Sequence, residues 1–179
     1  TAKHDELYAK GVSFLDPVLT PTGEEQAAAL RERLREAGAP PFDLVVVSPL
    51  SRVLQTANIA FGESGARFCA RPDSTESALP EYGLPQRGRD IATLRKELPF
   101  LSSDLWDLSA LEDATMWVED KPGEFAHPKD VADRLDGFLD WLRARPEPRI
   151  AVVGHSGVFM LDKLLGYFPK NCECVEKQI

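Results

Sequence analysis

Val152-Val153-Gly154-His155-Ser156-Gly157 closes an apolar run that begins at Ile150 and precedes a stretch, from Val158, that reads as a helix. A short apolar run ending in Gly-His places the histidine at a strand's carboxyl end, where open α/β sheets gather their chemistry. Leu44-Val45-Val46-Val47 has the same grammar, since Ser48-Pro49-Leu50-Ser51-Arg52 then turns into a helix carrying Val53, Leu54 and Ala57. If the two strands are neighbours, Arg52 lands beside His155. A guanidinium and an imidazole at adjacent strand tips, near the backbone N–H groups of helix N-termini, form a pocket for an oxyanion or a phosphate. Taken singly each residue also has a plainer use: His155 can cap a helix, and Arg52 can be half of a surface ion pair.

The flanking segments supply layers for such a sheet. Thr20 is a natural N-cap, Pro21 suits the first helical position, and Glu24-Glu25 faces the positive end of the dipole. Ala27, Leu30, Leu34 and Ala37 then mark one buried stripe, and Gly38 ends the helix. A second amphipathic helix is expected from about Lys129 to Arg145, with Val131, Leu135, Phe138, Leu139 and Leu142 inward, stopped by Pro146 and Pro148. Alternating helices and strands predict a three-layer α/β/α sandwich with a mostly parallel central sheet. A single domain is expected over residues 1–179, with an insertion at about 68–128 covering the carboxyl ends of the strands. In that span Pro72, Pro80, Gly83, Pro85 and Gly88 break any long element, and only Asp90 to Leu98 reads as a short helix. Trp106 and Trp117 could wall a substrate, although core packing is the default for an aromatic. Arg87 and Arg89 read as solvated cations able to meet a second anionic group.

With 179 residues, 43% of them hydrophobic, the chain can bury a core of its own. No apolar stretch approaches a membrane span, and a net charge of -8 argues against nucleic acid or an anionic membrane as partner. Cys69, Cys172 and Cys174 lack the paired spacing of a zinc site and read as free thiols of a reducing compartment, hence a cytoplasmic location.

Four stretches, in this order, resemble the signatures of the histidine phosphatase superfamily, the phosphoglycerate mutase-like group. They are Leu19-Thr20-Pro21-Thr22-Gly23-Glu24-Glu25-Gln26-Ala27, Ser48-Pro49-Leu50-Ser51-Arg52-Val53-Leu54-Gln55-Thr56-Ala57, Leu79-Pro80-Glu81, and Val153-Gly154-His155-Ser156-Gly157. The resemblance implies phosphoryl transfer through a phosphohistidine, with a small phosphorylated substrate and neither a cofactor nor a metal. Arg52 would clamp the phosphate oxygens, His155 would hydrogen-bond the transferring phosphoryl, and Glu81 would protonate the leaving oxygen. Gly154 and Ser156 would lie against the same phosphate. These residue types suit a reaction that asks mainly for positioning and charge neutralisation.

One departure concerns the nucleophile, which in that family belongs to an Arg-His-Gly motif at the tip of the first strand. No Arg-His-Gly occurs in the 179 residues. Asp16 precedes Leu19-Thr20 at the family's spacing, so the missing strand and its Arg-His pair are expected immediately upstream of Thr1, with Thr1 and His4 lining the phosphate pocket. His4 itself follows Ala2-Lys3 rather than an apolar strand and so lacks a rigid platform for nucleophilic attack. His127, in a loop before Pro128, is a weaker candidate still. A second departure separates mutases from phosphatases. The family's mutases carry a Ser-Gly or Thr-Gly pair ahead of the matched Asp and an Arg-Arg pair in the insertion, whereas Gly11-Val12-Ser13-Phe14-Leu15 and the insertion here have neither. The expected activity is therefore a phosphomonoesterase, with a phosphoglycerate mutase, or an inactive phosphate-binding relative, as the alternatives.

Overall fold

The computed structural model describes residues 16–76, 88–112 and 128–179, without the side chains of residues 128–132. Helix α1, Pro21–Glu36, starts where Thr20 Oγ1 accepts from the Gly23 N–H at 3.2 Å. Ala27 and Leu30 are buried and Leu34 packs against the core, as the stripe predicts. Ala37 instead caps the helix and is exposed, because the chain leaves the helical path there and Gly38 follows with φ +61°.

Strand β1, Leu44–Val47, leads into helix α2, Ser51–Phe61. Strands β2, Arg67–Ala70, and β3, Trp106–Asp107, come next, with helix α3, Ile91–Glu97, between them. Helix α4, Pro128–Arg143, then strand β4, Ile150–Val153, and the one-turn helix α5, Ser156–Phe159, complete the described strands and α-helices. The described sheet has the order β3-β2-β1-β4, and every pair in it is parallel.

Alternation along β1 divides the core. Val45 and Val47 pack with Leu30, Leu50, Leu54, Phe68 and Leu94, whereas Leu44 and Val46 pack with Leu135, Phe138, Leu139 and Leu142 of α4. All four β1 residues are buried, the mark of a central strand covered on both faces. The α/β fold and its parallel sheet are thus as the sequence predicts.

The span expected to be a loose insertion contributes two strands to the sheet. β2 has four residues and β3 only two, too short to leave a periodic trace between so many prolines and glycines. Phe68 and Trp106 join them face to face, ring centroids 4.3 Å apart, so Trp106 is a core residue and not a substrate wall. Asp90 caps α3 by accepting from the Thr93 N–H, as the predicted short helix requires. Residues 77–87 and 113–127, with Trp117, Arg87 and most of the expected cover over the strand ends, lie outside the described residues.

Candidate active site

Strand order places the site. From β1 the chain moves to β2 and β3 on one side and returns as β4 on the other, so the order reverses between β1 and β4. At such a switch point the loops after the two strands diverge to opposite faces and leave a crevice at their carboxyl ends. Val47 is in register with Val153, and the Ser48 N–H donates to the Val153 carbonyl at 3.1 Å, so the residues that follow each strand stay abreast.

His155 is 5% exposed at the end of β4. Its Nε2 is 2.8 Å from Ser48 Oγ, a hydroxyl that is itself wholly buried. Its Nδ1 is 3.4 Å from Arg52 Nη2 and 3.5 Å from Glu76 Oε2. Burial, followed by the charges of Arg52 and Arg134, drives the His155 pKa down from 6.5 to about 3, so the ring is neutral at physiological pH. Nδ1 therefore meets a donor and an acceptor at one edge, and the Ser48 hydroxyl, which can donate or accept, complements either tautomer.

Arg52 stands in the first turn of α2. Leu50 gives that helix no side-chain cap; the Asp16 carboxylate takes the part from 35 positions away. Asp16 Oδ1 accepts from the Ser51 N–H at 2.7 Å, and Oδ2 accepts from Ser51 Oγ at 2.6 Å. Asp16 is buried with φ +46°, and burial raises its pKa against the pull of these bonds and of Arg89 and Arg52. Burial also lowers the Arg52 pKa, while the charges of Glu76 and Asp16 favour the guanidinium. An arginine so placed stays charged.

Glu76 follows a bracketed turn. Ser74 Oγ donates to the Arg71 carbonyl and Thr75 Oγ1 to the Pro72 carbonyl, while the Arg71 guanidinium holds Asp73. From α4, Arg134 Nη2 donates to the Thr75 carbonyl at 3.0 Å, and its charged form is favoured by Asp73 and Glu76. Two guanidinium groups thus converge on the Glu76 carboxylate and the neutral imidazole.

The structure brings Arg52 and His155 together as the sequence predicts. Gly154 lies at the strand end with its Cα backed by the Phe159 ring, and Ser156 is exposed at the start of α5. The expected helix beyond His155 is only four residues long, so its dipole contributes little to anion binding. Glu81, Thr1, His4 and His127 lie outside the described residues. Arg89 is not a solvated cation: its Nη1 donates to both Glu97 oxygens at 2.7 Å, and its Nε is 3.6 Å from Asp16 Oδ2. Ser48, Glu76 and Arg134 are the residues that the sequence does not single out. Ser48 sits in the quoted Ser-Pro-Leu-Ser-Arg stretch, but nothing local marks Glu76 or Arg134. Cys69 offers no competing nucleophile, because burial and Asp107 push its thiol up to about 11.

Residues 9–176 match the family model of the histidine phosphatase superfamily, branch 1. A phosphoglycerate mutase-like protein of Arabidopsis thaliana is 31% identical over 89% of this chain and 66% of its own. A 2,3-bisphosphoglycerate-dependent phosphoglycerate mutase of Thermobifida fusca is 30% identical over 73% of this chain and 55% of its own. The chain spans between 55% and 66% of the length of the curated relatives it matches. In fold it is similar to a putative alpha-ribazole-5'-P phosphatase of Escherichia coli, with a TM-score of 0.54 at 23% identity over 90% of this chain and 75% of that one. It is also similar in fold to the ecdysone phosphate phosphatase of Bombix mori in complex with tungstate, with a TM-score of 0.54 at 17% identity over 83% of this chain and 55% of that one. With its switch-point histidine and arginine, this chain belongs to the histidine phosphatase superfamily, branch 1.

Proposed function

We propose that the protein is a phosphomonoesterase that passes a phosphoryl group from a small phosphorylated molecule, through a histidine, to water. The observation that carries this reading is the approach of Arg52 Nη2 to His155 Nδ1, 3.4 Å apart, at the mouth between β1 and β4. A fixed guanidinium beside an imidazole meets the charge of a transferring phosphoryl group without solvent reorganisation. In the proposed sequence a nucleophilic histidine forms a bond to phosphorus as the ester P–O bond breaks. Glu81 gives its proton to the leaving oxygen, and water then cleaves the P–N bond to release inorganic phosphate. Gly154, Ser156, Thr1 and His4 are the further contacts proposed for the phosphate.

A substrate that is small, and neither nucleic acid nor membrane, accords with the net charge of -8. No described helix is long and apolar enough to cross a membrane. The three free cysteines accord with a reducing compartment, and we place the protein in the cytoplasm on that ground.

The mutase-named relatives favour a second reading, phosphoglycerate interconversion. Phosphate release and exchange of 2- and 3-phosphoglycerate, followed in parallel on the purified protein, separate the two. Release that outpaces exchange is expected, and the reverse replaces phosphatase with mutase. Arg52→Ala is expected to lower the release rate by about 10²- to 10³-fold; an unaltered rate removes Arg52 from its role.

A further inference from the structure

We propose that Glu76 is a built-in anion that competes for the phosphoryl seat, so that substrate enters by exchanging its phosphate for this carboxylate. The inference rests on the phosphoryl-pocket reading of Arg52 and His155. Glu76 Oε2 and Arg52 Nη2 reach the same atom, His155 Nδ1, at 3.5 and 3.4 Å, so carboxylate and guanidinium share one edge of the imidazole. A neutral His155 forms no ion pair with that carboxylate. The charges that hold it are the guanidinium groups of Arg52 and Arg134, both of which it helps to keep protonated.

The backbone beneath Glu76 is fixed, so the exchange needs a rotation of its side chain and no movement of the turn. The bonds of Ser74 and Thr75 to the Arg71 and Pro72 carbonyls, with the bond of Arg134 to the Thr75 carbonyl, tie the turn to both β2 and α4. The Glu76 side chain retains 17% exposure against 4% for His155, so the carboxylate is the more accessible of the two. Both guanidinium groups are half-buried and lie near Asp16 and Asp73 respectively, and the Glu76 carboxylate adds a counter-charge to each. A phosphate monoester brings two negative charges and three terminal oxygens to the same donors, enough to displace a single carboxylate.

The exchange makes Glu76 an internal competitor that lowers the apparent affinity of every anion for this seat by one common factor. A dianion replacing a monoanion gains one net charge at the cationic seat, whereas a monoanionic phosphodiester or sulfate monoester gains none. The guanidinium charges thus favour dianionic monoesters, and the carboxylate sets the threshold that any anion must exceed to enter.

Calorimetric titration with inorganic phosphate, tungstate and methyl sulfate, on the wild type, Glu76→Gln and Arg52→Ala, tests this. Glu76→Gln is expected to bind phosphate, tungstate and methyl sulfate each about tenfold tighter or more, by a similar factor. Wild-type binding that Glu76→Gln leaves equal or weakens, with circular dichroism showing a folded variant, overturns the role of Glu76 alone. Absence of binding in both proteins overturns the pocket reading beneath it. If Glu76→Gln does not fold, Glu76→Asp, which keeps the charge but withdraws it by one methylene, is expected to tighten phosphate binding; unchanged or weaker binding overturns the proposal. Arg52→Ala is expected to lose phosphate binding, which shows that the titrated anion sits at this seat.

Discussion

Ser48 and His155, 107 positions apart, share a hydrogen bond of 2.8 Å in which both partners are buried. Neither ring nitrogen of His155 can turn to water, so removing the hydroxyl leaves a polar atom stranded. Ser48→Ala is expected to cost about 1–3 kcal/mol of stability, the penalty for an unsatisfied buried group. Urea denaturation measures that cost. Nitrogen-15 spectra of the imidazole should show a changed tautomer balance in the variant, a signature that a mere packing defect would not produce.

Asp16 caps α2 from outside the helix, and Arg52 rides on the turn it secures. Asp16→Ala is expected to lower stability by about 1–2 kcal/mol, the usual cost of a lost cap. Phosphate affinity should fall as well, since the guanidinium loses its fixed platform. A variant with wild-type phosphate affinity by calorimetry would separate the cap from the site.

Acid should weaken the fold through His155. Its native pKa of about 3 lies below the unfolded 6.5, so between those values the unfolded chain binds the extra proton. The contribution is complete above pH 6.5 and is lost as pH falls toward 3, on the order of a few kcal/mol in all. Asp16 acts in the opposite sense, because its raised pKa removes stability as pH rises from 3.8 through the native value. Urea midpoints from about pH 4 to 7 contain both effects, and the difference between wild type and His155→Gln isolates the histidine. His155→Gln should flatten the rise seen in the wild type.

Gly154 is close to the Phe159 ring: a Cβ there would lie 3.2 Å from Cζ and 3.4 Å from Cε2. Gly154→Ala must push the ring back by a few tenths of an ångström and so disturb the backbone next to His155. Phosphate affinity is expected to fall more than stability, and adding Phe159→Leu should restore most of it. Failure of that rescue would exclude the ring as the cause.

Phe68 joins β2 to β3 through its stack on Trp106 and is almost wholly buried. Phe68→Ala is expected to cost about 3–5 kcal/mol, readable from the thermal or urea transition.

What can be read from the sequence follows from where the signals are local. β1 and β4 are runs of four apolar residues flanked by Ser-Pro and by Gly-His, so their tips, and with them Arg52 and His155, are visible without a structure. Thr20 and Asp90 announce their helices because a cap is a contact across three residues. β2 and β3 escape because strands of four and two residues carry too little alternation. Glu76 and Arg134 escape for another reason: they meet only when the turn after β2 packs on α4, a juxtaposition set by the tertiary fold. Arg89 looks like a free cation in the chain because Glu97 and Asp16, 8 and 73 positions away, reach it only in the folded state.

The pairing of β1 with β4 has a kinetic consequence. Strands whose tips are 107 residues apart must close a long loop before either gains a hydrogen bond from the other. β1 and β2, by contrast, are joined through a single helix and can dock early. The crevice therefore carries a larger loop-closure cost than the β1–β2 pair. Because Arg52 and His155 are themselves 103 positions apart, an anion bound between them stabilises the β1–β4 pairing against that loop-closure cost.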